Sequence, residues 1–267
     1  MRHSFARFTF RSVFFVLLAA GCCSGPPAKQ DVADYTDLEL PAHTNQERVY
    51  RRTAYSITFD TSKHVPKWVA YKLSPEKVRA HVAKRGHMRF SKDAEVPGAP
   101  SPAEYSHSSY QRGHMIPAAD CEWSADAMKE SFLITNAAPQ SKELNNGVWK
   151  VLEGDVRGWA QSRELYVVTG PVLTQECIET IGKGICAPAA FFKAVLDAAA
   201  EKAIAFVVPH RPSGKDPSQY AVSIDELEKR TGLDFFPALP DDIETRVEAR
   251  ARLSDWPSPA LARHHAR

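Results

Sequence analysis

The stretch "NAAPQSKELNNGVWKVLEGDVRGW", Asn136 to Trp159, changes character part-way along. Pro139 disfavours helix for the residue before it, so the opening residues end whatever precedes them. From Glu143 onward Leu144, Val148, Leu152 and Val156 recur at three-to-four spacing, with Trp149 and Trp159 alongside, which predicts one helix over Glu143 to Trp159. The segments on both sides read differently. "TAYSITFD" and "KWVAYKL" before it, and "ELYVVTGPVL", "AFFKAVLD" and "KAIAFVVPH" after it, are β-rich runs ended by Gly, Pro or Asp. Ser124 caps a short helix running to Phe132, and Ser223 with Glu226 forms a capping box for a late helix that stops at Gly232. Strands, a helical middle, strands again and a late helix make an α+β fold, a central antiparallel sheet with helices packed on it.

The chain has 267 residues, 43% apolar and 25% charged, which is ordinary globular composition and favours one domain. Its formal charge of +2 gives no large basic field, so a polyanion must be held by a local cluster. The segment "YRRTAYS" and Lys142, Lys150 and Arg157 are candidates for that charge. No C-x-x-C pair or H-E-x-x-H occurs, so zinc of the structural or protease type has no support.

Arg2, Arg7 and Arg11 precede a short apolar run, "SVFFVLLAAGCC", that ends in small residues and reads as a secretory signal over residues 1–21. "LAAGC" resembles the lipobox of bacterial lipoproteins, with alanine where leucine usually stands three residues before the cysteine. The resemblance implies a lipidated Cys22 and a chain secreted across the inner membrane and anchored in the envelope. Residues 22–47 then read as a tether, 48–252 as the folded domain and 253–267 as a disordered tail. Outside the cytoplasm Cys177 and Cys186 can close a disulfide or stand as separate small hydrophobes.

The candidate chemistry lies in "QRGHMIPAAD", Gln111 to Asp120, which follows a long irregular segment, Phe90 to Tyr110. Arginine offers a planar fork for phosphate oxygens, glycine permits a close approach, and histidine is suited to proton transfer near neutral pH. Asn136, Gln140, Asn145 and Glu153 follow as oxygen donors, the kind that hard cations such as Mg²⁺ prefer. On one continuous helix Asn145 and Glu153 would lie about 80° apart and two turns along, facing one cleft.

In order and register these motifs resemble the DNA/RNA non-specific endonuclease family, the ββα-metal enzymes. The family pattern D-R-G-H-x-x-P-A-A-D, then N-x-x-P-Q and L-N-x-x-x-W-x-x-L-E, is met by "QRGHMIPAAD", "NAAPQ" and "LNNGVWKVLE". "PKWVAYKL", "YVVTGPV", "FFKAVL", "AFVVP" and "SIDELEKRTGLDFF" extend the resemblance over Arg48 to Leu239. It implies the following roles. His114 is the general base, Asn145 is the protein ligand of a single Mg²⁺ (or Mn²⁺ in its place), and Glu153 orients one of that ion's waters. Arg112 contacts the scissile phosphate, Asn136 completes the catalytic set, and Gln140 joins Arg112 in contacting substrate. The substrates implied are DNA and RNA, cut to 5′-phosphate products with little sequence preference, and a homodimer is an implied assembly.

Gln111 departs from the family, which most often has Asp there. Glutamine keeps an acceptor oxygen but loses the charge, so weaker metal affinity is expected. Two other readings follow: a catalytically weakened, nucleic-acid-binding envelope lipoprotein, and a phosphodiesterase acting on small nucleotides.

Overall fold

A computed structural model describes residues 36–44 and 46–258. The secretory signal, Cys22 and the first part of the tether lie outside the described residues. No helix among the described residues is long and apolar enough to cross a membrane.

Eleven strands and six α-helices are formed among the described residues. In chain order they are β1 (Tyr50–Arg51), β2 (Ser56–Asp60), β3 (Val65–Leu73), α1 (Pro75–Arg79), β4 (Gln111–His114), α2 (Ala125–Ser131), β5 (Ala137–Gln140), α3 (Lys142–Asn145) and α4 (Val148–Trp159). There follow β6 (Leu165–Pro171), β7 (Glu179–Ile181), β8 (Ile185–Ala187), β9 (Ala190–Asp197), β10 (Lys202–Pro209), β11 (Ala221–Val222), α5 (Ile224–Thr231) and α6 (Asp241–Glu248). Seven strands make one antiparallel sheet in the order β1-β2-β3-β6-β9-β10-β11, while β4 pairs with β5 and β7 with β8. This is the expected α+β fold with a central antiparallel sheet.

The inner strands are buried along their whole length because the sheet is covered on both faces. Alternate residues of β9 point opposite ways. Phe191 and Val195 join the core under α4, formed by Val148, Trp149, Leu152 and Val156. Phe192, Ala194 and Leu196 join a second core with Ile224 and Leu227 of α5, with Phe235 and Phe236 of the segment after it, and with Val247 of α6.

Three sequence expectations need correction. The single helix over Glu143 to Trp159 is two helices, α3 and α4, separated at Asn146 and Gly147. A β-carbon at Gly147 would stand 2.1 Å from the Glu143 carbonyl oxygen, so the chain turns there at a closeness only glycine allows. The tether does not run loose to residue 47, because Leu38 and Leu40 are buried in the second core. Nor is residue 253 the start of a disordered tail: Leu253–Asp255 form a 3₁₀ turn and Trp256 packs edge-on against Trp159, ring centroids 4.9 Å apart. Trp159 Nε1 also donates to the Pro257 carbonyl at 2.6 Å. Burial of one large aromatic outweighs the weak local propensity of that segment.

Cys177 and Cys186 are disulfide-bonded, which settles the pairing left open by the sequence. The bond closes the β7–β8 hairpin, and β8 packs on β5 beside the cleft described next.

Candidate active site

The pair β4–β5 and helix α4 surround a cleft of about 880 Å³ lined by Gln111, Arg112, His114, Asn145, Lys150, Glu153 and Arg157, among others. "QRGH" is therefore a strand, although its sequence shows no strand period; pairing with "AAPQ" in register Gln111↔Gln140 to His114↔Ala137 supplies the order.

The glycine of this strand serves packing. A β-carbon on Gly113 would fall 2.1 Å from Gln140 Oε1 and 2.2 Å from its Cδ, so the Gln140 side chain lies directly over Gly113. Gln140 is completely buried there and does not line the cleft, which corrects its expected role as a substrate contact. Asn136 is likewise buried and spent on backbone. Its Oδ1 accepts from Ile116 N at 3.0 Å, and its Nδ2 donates to the carbonyls of Ile116 at 3.0 Å and Ser131 at 2.8 Å. It fixes the chain just after His114 and does not touch the reacting space, so it is a positioning residue and not a catalytic one.

His114 and Arg112 stand two residues apart and so share one face of β4. The His114 ring lies against Phe90 at 4.6 Å and edge-on to Phe132 at 5.1 Å between centroids. Its Nε2 is enclosed and has no hydrogen-bond partner. Burial, with Arg85 adding repulsion, pushes the imidazole down to about 3. The ring is accordingly neutral at physiological pH, the state a proton acceptor requires. Arg112 donates from Nη2 to the Pro102 carbonyl at 2.7 Å and sits 5.6 Å from the Tyr105 ring centroid, which holds the guanidinium at the cleft wall.

Asn145 ends α3, whose start is pinned by Ser141. The Ser141 hydroxyl accepts from Leu144 N at 3.2 Å and donates to the His210 carbonyl, while Ser141 N donates to His210 Nε2 at 3.0 Å. At the cleft Asn145 Nδ2 donates to Gln111 Oε1 at 2.7 Å. This bond turns the Asn145 amide nitrogen towards Gln111, which leaves the Asn145 oxygen as the available donor for a cation. An oxygen from Asn145 with the Glu153 carboxylate nearby is a donor set suited to a hard divalent ion that keeps most of its waters.

Glu153 stands in front of a buried polar group, Arg157, Asp120, Tyr71 and Lys193, whose gathering behind it no single motif announces. Arg157 Nη1 pairs with Asp120 Oδ1 at 2.7 Å, and Tyr71 Oη donates to Asp120 Oδ2 at 3.1 Å. Lys193, completely buried on β9, sits 5.0 Å from the Trp149 ring centroid and 5.9 Å from that of Tyr71. Burial pushes the Glu153 carboxyl above the usual range, while Lys193 and Arg157 draw it back. Lys193 carried a legible signal, a lone cation inside "AFFKAVLD", a strand otherwise apolar until its final Asp. Of the expected basic cluster, Arg51 pairs with Asp37, and Arg52 is buried against Asp93 and Glu95, so neither serves the cleft. Arg85, Arg89, Arg112 and Lys150 line it with no carboxylate partner among the described residues.

The family model of the DNA/RNA non-specific endonucleases matches residues 38–242. The chain belongs to that family. Among its relatives, "Nuclease EXOG, mitochondrial" of Mus musculus is 32% identical over 71% of this chain and 57% of its own. "Nuclease" of Nostoc sp. is 30% identical over 74% and 77%, and "Endonuclease G, mitochondrial" of Homo sapiens 30% over 70% and 68%. The chain thus spans 57% to 66% of the length of the EXOG relatives. Within the non-specific endonuclease family, a crystal structure of the EndoG/EndoGI complex superposes with a TM-score of 0.68 at 26% identity, covering 74% of this chain and 89% of that one. The cleft's β4–β5–α4 arrangement is the ββα element the sequence motifs implied for this endonuclease family.

Proposed function

We propose that the protein is a metal-dependent, sugar-non-specific endonuclease that hydrolyses phosphodiester bonds of DNA and RNA and leaves 5′-phosphate ends. The observation that carries this reading is the neutral, unpartnered His114 imidazole in the same cleft as Arg112 and the Gln111-held Asn145.

A phosphodiester entering the cleft meets Arg85, Arg89, Arg112 and Lys150, whose charge is not spent on carboxylates. Contacts to phosphate carry no base information, which supports action on both DNA and RNA with little sequence preference. His114 accepts the proton of the attacking water, and displacement of the 3′ oxygen leaves phosphate on the 5′ end. Arg112 offsets the charge that develops on the phosphorus oxygens. Asn145 would hold Mg²⁺, or Mn²⁺ in its place, and the ion would supply further positive charge against the phosphate. Glu153, set at the cleft by Lys193 and Arg157, would hold water beside that ion.

The leader supports a place outside the cytoplasm, with Cys22 as a lipid anchor in the envelope. The disulfide of Cys177 and Cys186 is compatible with an oxidising compartment.

The test is cleavage of supercoiled plasmid and of structured RNA by the purified chain with Mg²⁺, Mn²⁺ or EDTA, beside His114→Ala. Metal-dependent cleavage of both nucleic acids that vanishes in the variant is the expected result. Tight nucleic-acid binding without cleavage under any divalent ion would sink the proposal and leave a binding protein.

A further inference from the structure

On the face of the sheet opposite the catalytic cleft, α5 and α6 bring together Asp225, Glu228 and Glu248, with one carboxylate oxygen from each lying within 4.8 Å of the others. Asp225 and Glu228 are three residues apart and occupy the same face of α5. Glu248 is the last residue of α6, where the helix dipole disfavours a negative charge.

Glu248 is the decisive member. It is only 7% exposed, and its Oε1 is enclosed with no hydrogen-bond partner. A buried, unpaired carboxylate is costly. The charged groups that act most strongly on it are acidic, Glu228, Glu244, Asp225 and Asp234, and with burial, the largest cause, they push its carboxyl up to about 8. The arginines of these helices are engaged elsewhere, Arg230 with Glu226 and Arg246 with Glu201 and Asp242. Glu228 gives one oxygen to Phe235 N at 2.9 Å and keeps the other.

We propose that Asp225, Glu228 and Glu248 bind a hard divalent cation of the Ca²⁺ type, which fastens the end of α6 to α5. Oxygen ligands without nitrogen or sulfur favour Ca²⁺ or Mg²⁺ over transition metals. Three oxygens within 4.8 Å of one another suit the longer bonds of Ca²⁺, about 2.3–2.6 Å in a flexible geometry, better than the near-ideal octahedron that Mg²⁺ demands at about 2.0–2.1 Å. The site is structural: it lies on the second core with Phe235, Phe236 and Val247 and shares no residue with the cleft.

The experiment uses the full chain carrying Asn145→Ala, so that cation binding in the cleft does not contribute. Calorimetric titration with CaCl₂ and thermal unfolding with and without it are measured on this protein and on the same protein with Glu248→Gln or Asp225→Asn added. The expected result is one Ca²⁺ per chain and a Tm raised by roughly 5 °C or more at Ca²⁺ well above Kd, both lost in each added variant. Asp225→Asn is a near-isosteric change at a half-buried residue, so the test survives if Glu248→Gln fails to fold. With Asn145 intact, Glu248→Gln should cleave plasmid in Mg²⁺ as the unaltered chain does. Absence of Ca²⁺ binding in the Asn145→Ala protein, or binding unchanged by the added variants, would overturn the proposal and mean that Glu248 is kept neutral by a proton.

Discussion

Asn145 Nδ2 donates to Gln111 Oε1 at 2.7 Å, and Asn146 Nδ2 reaches the same oxygen at 3.3 Å. One glutamine oxygen therefore fixes which end of the Asn145 amide faces the cleft. The family's aspartate would accept the same hydrogen bond and add a charge; glutamine retains the orientation alone.

Gln111→Leu should release Asn145 and lower cleavage about tenfold or more, the equivalent of about 1.4 kcal/mol, mostly through weaker Mg²⁺ dependence. Gln111→Asp should restore the charge and lower the Mg²⁺ concentration needed for half-maximal rate. Plasmid nicking across a Mg²⁺ series checks both, and an unchanged metal dependence in Gln111→Leu would show that the hydrogen bond does not orient Asn145.

His114→Ala should cost about 10²–10⁴-fold in kcat/KM. Because His114 is pushed down to about 3, it stays neutral through the acid range, and acidification to pH 5 should not remove the base. Glu153 is the group raised by burial, so loss of activity as pH falls should track its protonation. The acid limb of the pH profile should therefore disappear in Glu153→Gln, whose lower rate stays flat. An acid limb at the ordinary histidine value in that variant would assign the titration to His114 instead.

Gly113→Ala should destabilise the fold by about 1–3 kcal/mol or more, since its β-carbon would sit 2.1 Å from Gln140 Oε1. Gln140→Ala in the same chain should recover much of that loss. Urea unfolding of the two single variants and the double variant measures the coupling.

Each of Arg85→Ala, Arg89→Ala and Lys150→Ala should weaken binding to DNA and RNA alike, and make the dependence of log affinity on log salt shallower by about one. Affinity for a non-cleavable duplex, measured against salt in the His114→Ala background, tests each position. A slope that does not change would place that residue off the phosphate path.

Trp256→Ala should cost about 3–5 kcal/mol, because the ring packs on Trp159 inside the core of the α4 face. Thermal unfolding reads this directly, and a neutral effect would return residues 253–258 to the status of a loose tail.

Much of the fold and part of the site can be read from single residues and spacings. Alternating and continuous apolar runs mark β2, β3, β6, β9 and β10, because strand side chains repeat every two residues whatever lies beyond them. Ser124, Ser223 and Gly232 mark helix ends because capping is a local hydrogen-bond matter. His114, Arg112, Asn145 and Glu153 all line the cleft, and their residue types state the chemistry. Tertiary structure decided what depends on partners distant in the chain. β4 is a strand because β5 lies beside it, and Gly113 is required by Gln140, 27 residues away in sequence. Asn136 and Gln140 match the motif yet are turned into the interior, since a sequence gives a residue's type and not the direction of its side chain. Lys193, Asp120 and Tyr71 gather behind Glu153 from separate elements, and Trp256 returns to Trp159 across 97 residues. Periodicity and capping act within a few residues of chain and so are written in it; charge compensation and close packing act through space, and only the folded chain defines their neighbours.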